Sequence, residues 1–260
     1  MADLEYSVSD HVGTILLNRP ERKNAFTLEM VDAWAQALAE AEQDPDVRVL
    51  VLTGAGDAFC AGVDLDAFAG LERTPWNQRQ VLDRRIHRVP LAMENMSKPV
   101  LAAVGGVAVG AGMDMSLMCD IRLAGASARF SEGYIRVGLV PGDGGCYFLP
   151  RIVGTQAALR LLWTGDFVNA EEALAIGLVS AVHPDAELLD ATYALASRIA
   201  SQPPIAVQLI KRAVREGARH DLRTALDLIA SHQAVVSSTS DSVEAFAAFR
   251  EKRPPVYGGS

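Results

Sequence analysis

The chain changes its hydrophobic rhythm several times, and each change predicts an element. Residues 4–18, "LEYSVSDHVGTILLN", alternate apolar and polar positions around turn material at Asp10 to Gly13, which predicts a β-hairpin. From Thr27 the apolar residues move to helical spacing, at Leu28, Val31, Trp34, Leu38 and Ala41, with Thr27 in the N-cap position. "VRVLVLTG" (47–54) is a short, nearly continuous apolar run, the type needed by a strand buried on both faces. The loop "GAGDAFCAG" follows it. Thr74-Pro75 opens a further helix, which Pro90 must kink or end. "KPVLAAVGG" (98–106) returns to strand, "DMSLMCD" (114–120) reads as a short apolar helix, and "IRLAG" and "ARFSE" are strand-like. Asn169 with Glu172, and Asp241 with Glu244, have capping-box spacing ahead of helices. From about Asp185 the pattern is nearly all helical. The expected architecture is an α/β core over residues 1–184 followed by a helical region over 185–260.

Composition narrows the function. The 260 residues suffice for one large domain or a domain with an appendage; half are apolar and 22% are charged. With 24 basic and 32 acidic residues the formal charge is −8, which argues against a nucleic-acid partner. An anionic ligand would need a local basic cluster. No apolar run reaches the ~18 residues of a membrane helix, and the start "MADLEYSVSD" has no apolar signal region. The expectation is a cytoplasmic protein without a membrane partner. Cys60, Cys119 and Cys146 are widely spaced and odd in number, so they suggest reduced, mostly buried thiols and no metal site. Histidines at 11, 87, 183, 220 and 232 are scattered, as surface or structural histidines are.

One stretch holds most of the candidate chemistry. "GGVAVGAGMD" (105–114) carries four glycines and closes on an acid. It lacks the third glycine of a dinucleotide fingerprint, and no phosphate loop, metal-binding H-E-x-x-H or G-x-S-x-G elbow occurs elsewhere. A second loop, "FCAGVDL" (59–65), has the same design: a strand, then small residues, then an acid and a helical run. A helix N-terminus presents unpaired N–H groups and the positive end of its dipole. Two such termini side by side would aim two donors at one oxygen, an oxyanion hole. The plainer alternative is a pair of tight strand-to-helix turns.

Taken together, "LNRPERKNAFT", "DAFCAGVDL", "KPVLAAVGGVAVGAGMDMSLMCDIRLA", "ARFSEGYIRVGLVPGDGG" and "LPRIVG" resemble the crotonase, or enoyl-CoA hydratase/isomerase, superfamily. The blocks stand in family order from about residue 12 to 182, and the tail "SVEAFAAFREKRPPVY" is also similar. The resemblance implies an α/β spiral of repeated ββα units with C-terminal helices that form a homotrimer, often stacked as a dimer of trimers. It implies an acyl-CoA thioester substrate of the kind met in fatty acid metabolism, with CoA arriving as part of the substrate and no separate cofactor. By position the enolate oxygen would be held by the backbone N–H groups of Val63 and Ala111. Ala61, Gly62, Asp64, Leu65 and Gly110 would surround the bound thioester. Arg22 and Lys23 in "RPERK" would meet the CoA phosphates, whereas Phe249 and Lys252 would reach CoA bound mainly by a neighbouring subunit.

Hydratases of this family use two glutamates. Here Asp114 stands at the first position and Tyr134 at the second. A tyrosine, with an ordinary pKa of ~10, is no base at neutral pH, but it can donate a hydrogen bond or line the pocket. Some family isomerases carry their acid in the loop "GLVPGDGG" at the place of Gly142, and Asp143 is its neighbour. Glu132, two residues before Tyr134, would share its face if both lay on a strand. Each acid has a plainer role open to it: a helix-end charge for Asp114, an N-cap for Asp143, a surface strand residue for Glu132. The expected activity is enoyl-CoA hydration with Asp114 and Asp143 as the acids. The alternatives are isomerisation by a single aspartate, or acyl-CoA binding without catalysis.

Overall fold

The computed structural model describes residues 2–68, 72 and 74–260. β1 (Leu4–Ser9) and β2 (Val12–Leu17) form the antiparallel hairpin, turning through Asp10 and His11 at positive φ. α1 (Leu28–Gln43) begins at Thr27, whose hydroxyl accepts the Met30 N–H. β3 (Val49–Gly54) leads through the first glycine loop to the single-turn α2 (Leu65–Phe68). α3 (Pro75–Val81), capped by Thr74, runs through a π-turn at 82–86 into α4 (Arg88–Asn95). The helix is therefore interrupted just before Pro90, which falls in the first turn of α4, where its missing N–H costs nothing.

β4 (Val100–Val104) and the short β5 (Val107–Val109) precede α5 (Ala111–Leu117). β6 (Ile121–Gly125), β7 (Arg129–Ser131), α6 (Gly145–Val153), α7 (Thr155–Thr164), β8 (Val168–Asn169), α8 (Ala170–Ala175) and β9 (Ala181–His183) complete the core. Asn169 caps α8 by accepting the Glu172 N–H, as its spacing predicts. The remainder is helical: α9 (Leu188–Ala200), α10 (Pro204–Gly217), α11 (Leu222–Ser237) and α12 (Ser240–Glu251). Here the capping expectation fails. Thr239 caps α12, and Asp241 lies inside the first turn, where its carboxylate instead accepts the Gly258 and Gly259 N–H groups of the tail.

The main sheet has the order β1-β2-β3-β4-β6-β9 and is parallel except for the hairpin. A second sheet, β5-β7-β8, pairs β5 with β7 in parallel. β4 is apolar throughout and β3 is apolar up to Thr53, because both faces are covered. Leu50 and Leu52 join Trp34 and Leu38 of α1 in one core, while Val49 and Val51 alternate to the other face and meet Ala196 and Ala200 of α9. α10 is tied to the core by ion pairs, whereas α11 and α12 leave Leu222, Leu226, Val243 and Phe246 exposed. Among the described residues no helix is long and apolar enough to cross a membrane.

Candidate active site

The two glycine loops meet. The Cys60 N–H donates to Val107 O and Val109 N–H returns the bond to Cys60 O, so the first loop adds a rung to β5. Cys60 is a buried thiol whose pKa burial pushes up to about 12, which makes it packing rather than a nucleophile. The space beside Gly62 is taken by Val109 O at 2.8 Å and Ala111 N at 3.7 Å from where a Cβ would stand. That contact sets the Val63 amide, next in the chain, close to the first amide of α5. Among the described residues neither the Val63 nor the Ala111 N–H has a hydrogen-bond partner. The N-cap, Gly110, lends no side chain and uses its own N–H on Ser131 O at 2.7 Å. Two free donors therefore stand at adjoining loop ends, one of them carrying the α5 dipole.

Three acids and a phenol lie buried together. Asp114, in the first turn of α5, and Glu132, just after β7, have no exposed surface; Asp143 and Tyr134 are also buried. The Tyr134 hydroxyl is 2.9 Å from Asp114 Oδ2 and 2.6 Å from Asp143 Oδ2. Asp143 is not an N-cap: the chain turns at Gly144, which occupies that position with φ 113°, and the Asp143 side chain is left to enter the pocket. Glu132 is not a surface residue. β7 ends at Ser131, and the 3-10 turn at 133–137 replaces strand alternation, turning Glu132 and Tyr134 into the same cluster. Gly145 makes room for them, since a Cβ there would lie 2.2 Å from Asp114 Oδ1 and 2.9 Å from Glu132 Oε1.

The electrostatics follow from burial among like charges. Desolvation first, then the Asp143 charge, raises Asp114 to about 7, against the hydrogen bonds of Glu132, Tyr134 and the Gly145 N–H. Desolvation and the Asp114 charge push Glu132 to about 10, so it is a protonated donor to Asp114 at neutral pH. With every carboxyl ionised, Asp114 Oδ1 and both Glu132 oxygens would lack a donor from the protein. Burial also raises Asp143, opposed by Tyr134 and by His87. His87 was not among the residues singled out by sequence. It faces the same cavity and contacts Gly142 O at 3.0 Å, but a lone histidine in a helical run carries no signal of that.

Asp143 lines a cavity of about 450 Å³ walled by Pro90, Leu91, Pro141, Tyr147 and Phe148. His87, Pro90, Leu91 and Glu94 thus bring α4 and the turn before it to a pocket beside the acids. Trp76 and Trp163 are largely exposed and do not line it. A second cavity, of about 310 Å³ between α10 and α11, shares no lining residue with it.

The other sequence candidates divide. Lys23 O accepts the Ala61 N–H at 2.9 Å, and exposed Arg22 pairs with Asp66 at 3.6 Å, so the "RPERK" turn flanks the first loop. Asp64 is occupied: it pairs with Arg19 at 3.0 Å and accepts the Asp66 and Ala67 N–H groups at the start of α2. The Arg19 hydrogen bond holds its carboxyl below the usual range. Leu65 is exposed beside it. Phe249, 85% exposed, and Lys252 stand at the end of α12, which packs on α11.

The sequence profile described as enoyl-CoA hydratase/isomerase matches residues 7–260. A crotonyl-CoA hydratase of Syntrophomonas wolfei is 36% identical over 245 residues, 94% of this chain and 93% of its own. A 1,2-epoxyphenylacetyl-CoA isomerase of Escherichia coli is 38% identical over 256 residues, 97% of each chain. The crystal structure of an enoyl-CoA hydratase from Bacillus anthracis superposes with a TM-score of 0.95 at 35% identity, covering 100% of both chains.

Proposed function

The chain belongs to the enoyl-CoA hydratase/isomerase family, and on that premise we propose that it hydrates the double bond of an α,β-unsaturated acyl-CoA. The observation that carries this reading is the buried pair Asp114 and Asp143, joined through Tyr134, with Asp143 lining the cavity. The thioester oxygen takes the two free N–H groups of Val63 and Ala111. As the enolate forms, both donors act on a full charge in a site shielded from water, where losing one is worth ~10²–10³ in rate. One aspartate, ionised, takes a proton from water as it adds at Cβ. The other, protonated, delivers its proton to Cα. Arg22 and Lys23 hold the CoA phosphates, and the reaction needs no cofactor beyond the CoA of the substrate.

Isomerisation is the second reading, and Tyr134 favours it. With a phenol where family hydratases have a glutamate, one aspartate and the oxyanion hole suffice to shift a double bond. An enoyl-CoA panel in ¹⁸O-labelled water and in D₂O separates the two. Oxygen-18 in a β-hydroxyacyl product means hydration; deuterium in a product with a moved double bond and no added oxygen means isomerisation. Asp114→Asn should lower turnover by ~10²–10⁴ with little change in acyl-CoA affinity. Wild-type turnover in that variant would contradict the assignment.

The exposed apolar residues of α11 and α12 support assembly as a homotrimer or a dimer of trimers, in which Phe249 and Lys252 would reach a neighbour's CoA. Light scattering at micromolar protein should give a trimeric or hexameric mass, and a monomeric mass would contradict it. The three free cysteines fit a reducing compartment, and we place the protein in the cytoplasm.

A further inference from the structure

Tyr134 Oη contacts two carboxylate oxygens, at 2.9 Å on Asp114 and 2.6 Å on Asp143. A phenol has one proton and donates one hydrogen bond. The other contact is a hydrogen bond only if that carboxyl carries a proton and donates it to the phenol oxygen. Otherwise lone pairs would face each other at hydrogen-bond distance in a buried site, which is costly. Both contacts are satisfied as full hydrogen bonds when the aspartate pair holds one proton.

We propose that Asp114, Tyr134 and Asp143 form a proton relay in which Tyr134 passes that proton between the two aspartates. This rests on the two-acid reading above. In one direction the Asp143 O–H bond breaks as its proton moves to the phenol oxygen. In the same event the phenol proton moves to Asp114 Oδ2. Tyr134 ends as it began, Asp114 is neutral, Asp143 is ionised, and no charge is created on the ring. The relay has a use in each cycle. Hydration leaves the aspartate that served as acid ionised and the one that served as base protonated. One transfer through Tyr134 restores the starting pair without a proton from bulk water.

The surroundings suit a hydroxyl that is never ionised. Burial, and then the charges of Asp114 and Asp143, hold the phenol above its ordinary range, which disfavours a phenolate on the way. Among the described residues, the titratable groups facing the trio are Glu132 just after β7, His87 from the turn before α4, Cys60 in the first glycine loop and Cys146 on α6. Glu132, protonated, occupies the far side of Asp114 and leaves the Tyr134 side for exchange.

Tyr134→Phe keeps the ring and deletes the relay atom. On an enoyl-CoA that the wild type hydrates, kcat should fall roughly 10–10³-fold with KM within about threefold. Tyr134→Ala leaves a gap of ring size, and added phenol should restore turnover where toluene does not. Wild-type kcat in Tyr134→Phe, or equal rescue by toluene, overturns the relay. A second readout is independent of turnover. Infrared spectra of protein carrying ¹³C-labelled aspartate should show a protonated aspartate band at pH 7 that shifts in Tyr134→Phe. Absence of the band overturns the proposal. A wild type that shows the band yet converts no enoyl-CoA refutes the hydration reading and leaves the proton-sharing trio standing.

Discussion

Asp114 lies in the first turn of α5 and Asp120 just beyond that helix, directly before β6, and the protein treats them in opposite ways. Asp120 receives Lys211 Nζ at 2.7 Å, Arg215 Nη2 at 2.9 Å and the Val100 N–H at 2.8 Å. It is an anchor that ties α10 to the edge of β4. Among the described residues Asp114 receives no cation. Its neighbours are Glu132, Asp143 and a phenol. Burying three carboxyl groups this close together is tolerated by keeping protons on some of them. A fold selected for stability alone would pair such groups or replace them. The difference separates an acid kept for structure from acids kept for proton transfer.

The sharpest way to break this comparison is to neutralise each acid in turn. Asp114→Asn should cost ~10²–10⁴ in turnover and leave the fold intact. Asp120→Asn should leave the turnover of the folded protein within about threefold. A large loss of activity from Asp120→Asn in folded protein would erase the distinction.

Stability should reverse the order. Asp120→Asn leaves Lys211, nearly buried, without its counter-charge. Breaking a buried pair costs ~3–5 kcal/mol, and partial exposure of Asp120 reduces this to about 2–3 kcal/mol in denaturant unfolding. An unchanged midpoint would show that α10 is held by packing alone.

The smallest effect concerns Glu132. Its folded value, about 10, lies above its unfolded value, so the native state keeps a proton that the unfolded chain releases. Its contribution to stability is therefore complete at acid pH and is lost as pH rises from roughly 4.5 toward 10, by up to ~1.4 kcal/mol per unit. Glu132→Gln should remove that slope and stabilise the protein by about 1–3 kcal/mol at pH 7, read as a higher unfolding midpoint. Destabilisation at pH 7 would mean that Glu132 is ionised and paired.

The sequence made parts of this site legible and hid others. Asp114 was readable because the small residues before it and the apolar helix after it define its place on α5. β3 and β4 were readable because burial on both faces forces continuous apolar runs. Of the second sheet only β7 was, within "ARFSE"; β5, set between glycines, and β8 are three and two residues long, too short to show a rhythm. For Asp143, capping and pocket were equally compatible with the sequence; the turn at Gly144 decides between them. Glu132 and Tyr134 were expected to share a face by strand alternation. They do converge, but through a 3-10 turn that begins where the strand stops. The sharing of Tyr134 between two aspartates had no sequence signal, because it depends on a loop returning from beyond the turn.

The most direct test of the central claim is a crystal structure with a non-reacting enoyl-CoA analogue. The account predicts the thioester oxygen within hydrogen-bond distance of both the Val63 and Ala111 nitrogens. It also predicts the Asp114 or Asp143 carboxyl ~3 Å from Cα or from a water at Cβ, the reach that proton transfer requires. A thioester bound away from both amides, with the acid cluster sealed off from the acyl group, would contradict it.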